Sequence, residues 1–235
     1  WTLGALSESS PPQRGPMVYD AARGATVLFN GRTWEWDGAV WTDRSAPRPS
    51  ARSGHWMAYD AARAITVLFG GWGNTTGAEF ADTWEWDGTA WARREVSGPS
   101  PRKHHAMTYD TVRGVTVLFG GETVGMFGPF TRNGETWEWD GITWTQRLVS
   151  GPSPRTDHAM AFDAARGVTV LFGGSAHPLS DETWEWDGTT WSQRMVAGPA
   201  PMTGGMVYDA GRSVIVLLGN HYEGSAVFQE IWEWD

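Results

Sequence analysis

Trp137-Glu138-Trp139-Asp140-Gly141-Ile142-Thr143-Trp144 is the stretch that decides the fold, because the chain repeats it. Trp34 to Trp41, Trp84 to Trp91 and Trp184 to Trp191 are further complete copies. Trp232-Glu233-Trp234-Asp235 ends the chain with the head of a fifth copy, whose closing tryptophan is Trp1. Fifteen of the seventeen tryptophans belong to this pattern. Within it, period-2 alternation sets Trp137 and Trp139 on one face of a strand and Glu138 on the other. The following Asp-Gly is a hairpin signal, and Trp144 opens the next strand.

Counted between the Trp-Glu-Trp-Asp anchors, the repeats are 50, 53, 47 and 48 residues long. Each begins with a stretch ending in Tyr-Asp or Phe-Asp, such as His105 to Asp110, and then a tight Asp-x-x-Arg-Gly turn. In that turn Asp caps the backbone and Gly takes a positive φ, although Ala64 and Ser213 replace the glycine in copies two and five. A β-branched run bounded by glycine comes next, Val115 to Phe119 before Gly120-Gly121, and reads as a buried strand. Four antiparallel strands per unit, five units and a split copy predict an all-β fold, a five-bladed β-propeller occupying residues 1–235 as one domain. Pairing of the N- and C-terminal strands in one blade closes the ring and removes its open edge.

Composition narrows the function classes. The net charge of −9 argues against nucleic acid and anionic membrane as partners. No cysteine is present, so disulfides, zinc-thiolate sites and thiol nucleophiles are excluded. No apolar run reaches the length of a membrane span, and no signal peptide is visible. The chain starts inside a repeat without an initiator methionine, which predicts a domain that is secreted or excised from a longer chain. Lys103, the one lysine against seventeen arginines, reads as a trace of codon bias.

The apolar strand ending in Gly-Gly, a loop, then an aromatic-Asp pair and a spaced tryptophan resemble the kelch repeat. Gly70-Gly71, Gly120-Gly121 and Gly173-Gly174 match its double glycine, and Trp86-Asp87 with Trp91 matches its aromatic segment. Asn30-Gly31 and Gly219-Asn220 depart from it, and five blades are fewer than the six or seven usual in that family. The resemblance implies a propeller fold whose ligands sit on the face of the long loops, and it leaves activity open.

Differences among the copies locate candidate function. Seven residues before the Tyr or Phe of each first strand stand Pro12, Arg52, Arg102, Arg155 and Pro201. Four before it stand Gly15, His55, His105, His158 and Gly204, and five before it Arg14, Gly54, His104, Asp157 and Thr203. The acids two residues before Trp-Glu-Trp in copies two to four, Asp82, Glu135 and Glu182, are expected to pair with the arginines of the same blades. Arg32 and Glu230 then remain to pair with each other across the closure, unless Glu230 serves as a base or ligand anchor. His55, His105 and His158 are weak metal candidates, because their strand face points between blades rather than down the axis. No cofactor is expected.

The expected activity is binding of a small or medium-sized ligand, or a peptide or glycan, by a monomer at the channel mouth. Gly15 and Gly204 would open the pocket, and His104, Asp157, Arg14 and Glu230 would rim it, with Arg32 beside Glu230. Trp72, Phe80, Phe127, Phe130, His177, His221 and Tyr222, on the variable loops, would wall it. The alternatives are an enzyme using His104, Asp157 or Glu230 for acid–base chemistry, with or without a metal, and a protein-docking or multivalent glycan-binding module.

Overall fold

The computed structural model describes residues 15–44, 47–124, 130–175, 179–196, 198–223 and 226–235, the side chains of 221–228 excepted. The chain is a five-bladed, all-β propeller. Blade three is representative: Ala106–Asp110, Val115–Phe119, Thr136–Trp139 and Trp144–Arg147 pair antiparallel in chain order. Blades one, two and four repeat it with Met17–Asp20 to Trp41–Arg44, Trp56–Asp60 to Trp91–Arg94, and Ala159–Asp163 to Trp191–Arg194. Blade five shows three strands among the described residues, Thr203–Asp209, Val214–Glu223 and Ala226–Trp234. Trp1, to which the sequence assigns its fourth strand, lies outside the described residues. First strands of neighbouring blades contact one another, which makes them the inner wall. No helix among the described residues is long and apolar enough to cross a membrane.

The core is a series of interblade layers rather than one centre. Val27 and Phe29 of blade one pack on Met57, Leu68, Trp86 and Trp91 of blade two, and the next two interfaces repeat the arrangement. The repeated tryptophans also make directed bonds across each interface. Trp86, Trp139 and Trp186 donate their indole N–H to Glu35, Glu85 and Glu138 of the preceding blade at 3.0, 3.1 and 3.0 Å. Trp91, Trp144 and Trp191 donate to the hydroxyls of Thr33, Thr83 and Thr136. Burial of a Trp body with its N–H satisfied is the favourable way to use that side chain.

Each of those glutamates is held from its own blade as well. Glu85 accepts from Arg63 of the tight turn at 2.7 Å and from Arg94 of the outer strand at 2.6 Å. The turn itself is built as expected: Asp60 accepts the backbone N–H groups of Ala62 and Arg63 and the Arg63 guanidinium. Gly24, Gly114 and Gly167 take positive φ at its last position, and so do Ala64 at 55° and Ser213 at 57°. A left-handed conformation costs a residue with a Cβ roughly 1–2 kcal/mol. Ala64→Gly and Ser213→Gly should therefore each raise stability, by about 1 kcal/mol after the extra chain entropy of glycine is deducted. Urea midpoints at constant slope would show it, and a lowered midpoint would contradict the strain.

The double glycine admits the neighbouring blade. A Cβ on Gly70 or Gly120 would stand 2.7 Å from the carbonyl oxygen of Arg102 or Arg155 in the next blade. Gly71 and Gly121 donate their N–H to those same carbonyls at 2.8 and 2.9 Å. Blade five follows a different course. Its second strand runs straight through Gly219-Asn220 and pairs with the third as a long ribbon, His221 opposite Phe228 and Tyr222 opposite Val227. At the closure, Met17 and Tyr19 of blade one and Val207 and Ile231 of blade five are exposed, and residues 1–14 lie outside the described residues.

Candidate functional site

The segment entering each first strand carries the residues that distinguish the blades. In blades two to four, Gly54, His104 and Asp157 occupy the same repeat position, all with left-handed backbones, φ 64°, 58° and 55°. Their backbones join from blade to blade: His104 N–H donates to the Gly54 carbonyl at 2.8 Å, and Asp157 N–H to the His104 carbonyl at 3.1 Å. Glycine meets the backbone requirement without strain in blade two. In blades three and four the strain is accepted and a side chain is gained.

Those two side chains meet. His104 Nδ1 lies 2.8 Å from Asp157 Oδ1, with the side chains 40% and 46% exposed. The hydrogen bond to Asp157 raises the His104 pKa against the opposing effect of burial, helped by the charges of Asp157 and Glu122. Burial alone would raise the Asp157 carboxyl, but the bond from His104 outweighs it and holds the carboxyl below its ordinary value. With Nδ1 engaged, Nε2 is the ring atom left to act, and it makes no hydrogen bond among the described residues. Gly54 keeps its surroundings open, since a Cβ there would lie 3.2 Å from Nε2.

Lys103 is placed with equal care, which a codon-bias reading of the lone lysine misses. Its ammonium stands 4.9 Å from the Trp72 ring and 5.1 Å from the Phe130 ring, with Glu122 at 3.8 Å. Cation–π attraction over two rings fixes both loops to the blade-three entry. The signal available in the sequence was position, because Lys103 directly precedes His104 where the copies disagree.

Other candidates fall elsewhere. Arg52 pairs with Asp82 at 2.6 Å and Arg155 with Glu182 at 2.5 Å, and Arg102 pairs with Glu135, the intrablade bridges expected from the sequence. Each guanidinium also donates to the carbonyl of the first glycine of its blade's pair, Gly70, Gly120 or Gly173. Burial works against the charged forms of Asp82, Glu135 and Glu182, and their bonds to arginine overcome it and lower all three pKa values. Phe80 lies under the Arg52 guanidinium at 4.1 Å and is committed to it. Arg32 does not reach Glu230; it bonds Asp43 of its own blade at 2.8 Å. Asp43 lies opposite Trp34 on the outer strand of the same blade, within reach of Arg32, and takes its guanidinium. Glu230 accepts the Trp232 indole N–H at 2.7 Å.

Gly15 and Gly204 do not open a gap. A Cβ on Gly15 would lie 2.6 Å from the Phe29 carbonyl oxygen, and one on Gly204 2.1 Å from that of Leu218. Close backbone approach, not room for a ligand, is what these glycines supply. Arg14, Phe127 and His177 lie outside the described residues, and the side chains of His221 and Tyr222 are not described.

His55, His105 and His158 are buried and sit in three successive interfaces, each ring edge-on to a phenylalanine of the preceding blade. Phe29–His55, Phe69–His105 and Phe119–His158 have ring centroids 5.5, 5.6 and 5.5 Å apart. Among the described residues, no group of three or more His, Cys, Asp and Glu side chains is disposed to hold a metal. A cleft of about 550 Å³ lies on blade two, lined by Ser50, Phe80, Asp82, Trp84 and Arg94. Its Asp82 and Arg94 are already paired with Arg52 and Glu85, so it offers a ligand little unmet polarity.

No protein-family model matches the chain, and no curated protein matches it. The chain is similar in fold to the solved structure of YjhT, with a TM-score of 0.75 and 16% identity over 96% of this chain and 83% of that one. At that identity the likeness carries the propeller fold alone.

Proposed function

We propose that this kelch-like propeller binds a small or medium-sized ligand in one asymmetric pocket at the channel mouth, on the face of the long loops. The observation that carries the reading is the His104–Asp157 pair on two left-handed backbones, where blade two shows that glycine suffices. Strain held at two non-glycine residues whose side chains bond each other, with an imidazole nitrogen left over, is the signature of a site maintained for use. Trp72, Lys103 and Phe130 form the adjoining wall.

Because Gly54 stands at the same position, His104→Gly and Asp157→Gly are expected to fold. Small-molecule fragments that bind the wild type in ligand-observed NMR should lose at least tenfold in affinity to either variant. Hits that bind both variants as well as the wild type would remove the pocket from this place.

A second reading has the same pair perform acid–base catalysis. Asp157 orients the imidazole through Nδ1 and leaves Nε2 to exchange a proton with a substrate, the arrangement general-base histidines use. The elevated His104 pKa then places an acid limb in the rate profile above 6.5, since the base is active only when neutral. Asp157→Asn should shift that limb to lower pH; an unchanged limb would dismiss His104 as the base.

A further inference from the structure

Of the described arginines, all but Arg48 and Arg132 make an ion pair. Arg48 donates to the Gly31 carbonyl from an exposed position. Arg132 is half-buried. Its Nη2 reaches the Ser175 hydroxyl at 3.3 Å, and its Nε is buried with no acceptor. The neighbouring segments 125–129 and 176–178 contain no acidic residue in sequence. A buried guanidinium N–H without an acceptor is costly, and a fixed cation without a counter-charge is unusual in a chain of net charge −9.

Backbone connections tie this arginine to the His104–Asp157 mouth. Arg132 is the strand partner of Glu122, and Glu122 exchanges both backbone bonds with Lys103, the residue before His104. On the other side, Ser175 exchanges backbone bonds with Thr156, the residue before Asp157. Asp157 N–H returns to the His104 carbonyl and completes the circuit. Around it stand the cations Lys103 and Arg132, the imidazole of His104, and the anions Glu122 and Asp157. Glu122 answers Lys103 and Asp157 answers His104, so Arg132 has no acid of its own.

We infer that Arg132 and Ser175 anchor a carboxylate of the ligand, which makes the ligand class small organic acids; this rests on the reading of the His104–Asp157 mouth as the binding site. A planar carboxylate accepts from the η nitrogens of the guanidinium together with the Ser175 hydroxyl hydrogen, and the flat guanidinium favours that shape. Inorganic phosphate fits less well, because it would bring two charges to the anchor itself, on the circuit that holds Glu122 and Asp157, whereas each carboxylate of a diacid brings one.

The test uses glutarate as probe, its neutral diamide as control, and inorganic phosphate as the competing oxyanion. Arg132 Nε–H and His104 ring signals are followed by NMR during titration. Glutarate should move both sets of signals, bind at least tenfold tighter than the diamide, and lose at least tenfold in Arg132→Gln while Arg48→Gln matches the wild type. Equal binding of the diamide, an unaffected Arg132→Gln variant, tighter binding of phosphate, or no glutarate binding up to tens of millimolar would overturn the carboxylate anchor. Movement of His104 with no dependence on Arg132 would leave the mouth as a site and remove the anchor. Movement of Arg132 alone would separate the anchor from the mouth and overturn the inference as stated.

Discussion

Acidification from pH 7.5 to 5 should strip this fold of several kcal/mol, well before its carboxylates protonate. Burial lowers the pKa of His55 and His158 to about 3, with the charges of Arg52 and Arg155 acting in the same direction. Burial and the Arg102 charge place His105 well below the ordinary value too. Neither ring nitrogen of the three meets a partner at good hydrogen-bonding geometry, and nearby backbone carbonyls of Phe29 and Phe119 favour a proton on His55 and His158 only weakly.

The unfolded chain binds protons at these sites below about pH 6.5, whereas the folded chain refuses them. Stability from each histidine is complete above that value and falls by up to about 1.4 kcal/mol per pH unit as pH drops toward the folded pKa. Three such groups give a slope approaching 4 kcal/mol per unit, large against the 5–15 kcal/mol of an ordinary domain. His104 opposes this, since its raised pKa favours the folded state at low pH and that contribution fades as pH rises through the folded value. It is one group against three. Urea unfolding at several pH values should show the steep loss, and His105→Phe should remove about a third of the slope. A flat profile between pH 7.5 and 5 would contradict the neutral, buried rings.

The second large effect is expected at Glu85. Its carboxylate is almost wholly buried, takes hydrogen bonds from Arg63, Arg94 and the Trp139 indole, and thereby locks blade three onto blade two. Glu85→Ala leaves a buried indole N–H without an acceptor and two guanidinium groups without their shared anion, at a cost of about 3–5 kcal/mol. Glu233 holds the same motif position in blade five and pairs with Arg212, but its side chain is 51% exposed. Glu233→Ala should cost under about 1 kcal/mol. Equal losses at Glu85 and Glu233 would show that the pairing, and not its burial between blades, sets the energy. A cycle with Trp139→Phe isolates the interblade bond.

The blades could be read from the sequence because each repeat writes the same physics: alternation at Trp137 and Trp139, the Asp110 turn, and glycines wherever the next blade's backbone approaches. The intrablade bridges of Arg52, Arg102 and Arg155 followed from the same comparison. His104 and Asp157 stood out as the residues replacing Gly54, but their contact spans two blades 53 residues apart and depends on two left-handed backbones that no local pattern announces. Gly15 and Gly204 misled for the opposite reason. A missing side chain signals either room or close backbone approach, and only coordinates distinguish them. Arg132 lacked a repeat to be compared with, and Lys103 was marked only by its place beside His104, so their partners, drawn from loops of three blades, stayed hidden.

The function proposed for this propeller rests on the His104–Asp157 pair marking a binding site. Long-range ¹H–¹⁵N spectra of the His104 imidazole, recorded while fragment hits are titrated, test it most directly. The tightest hits should move the His104 Nε2 signal saturably, and that movement should be lost in Asp157→Gly even though that variant is as stable as the wild type. Hits that saturate the protein while the His104 ring stays unmoved would contradict it.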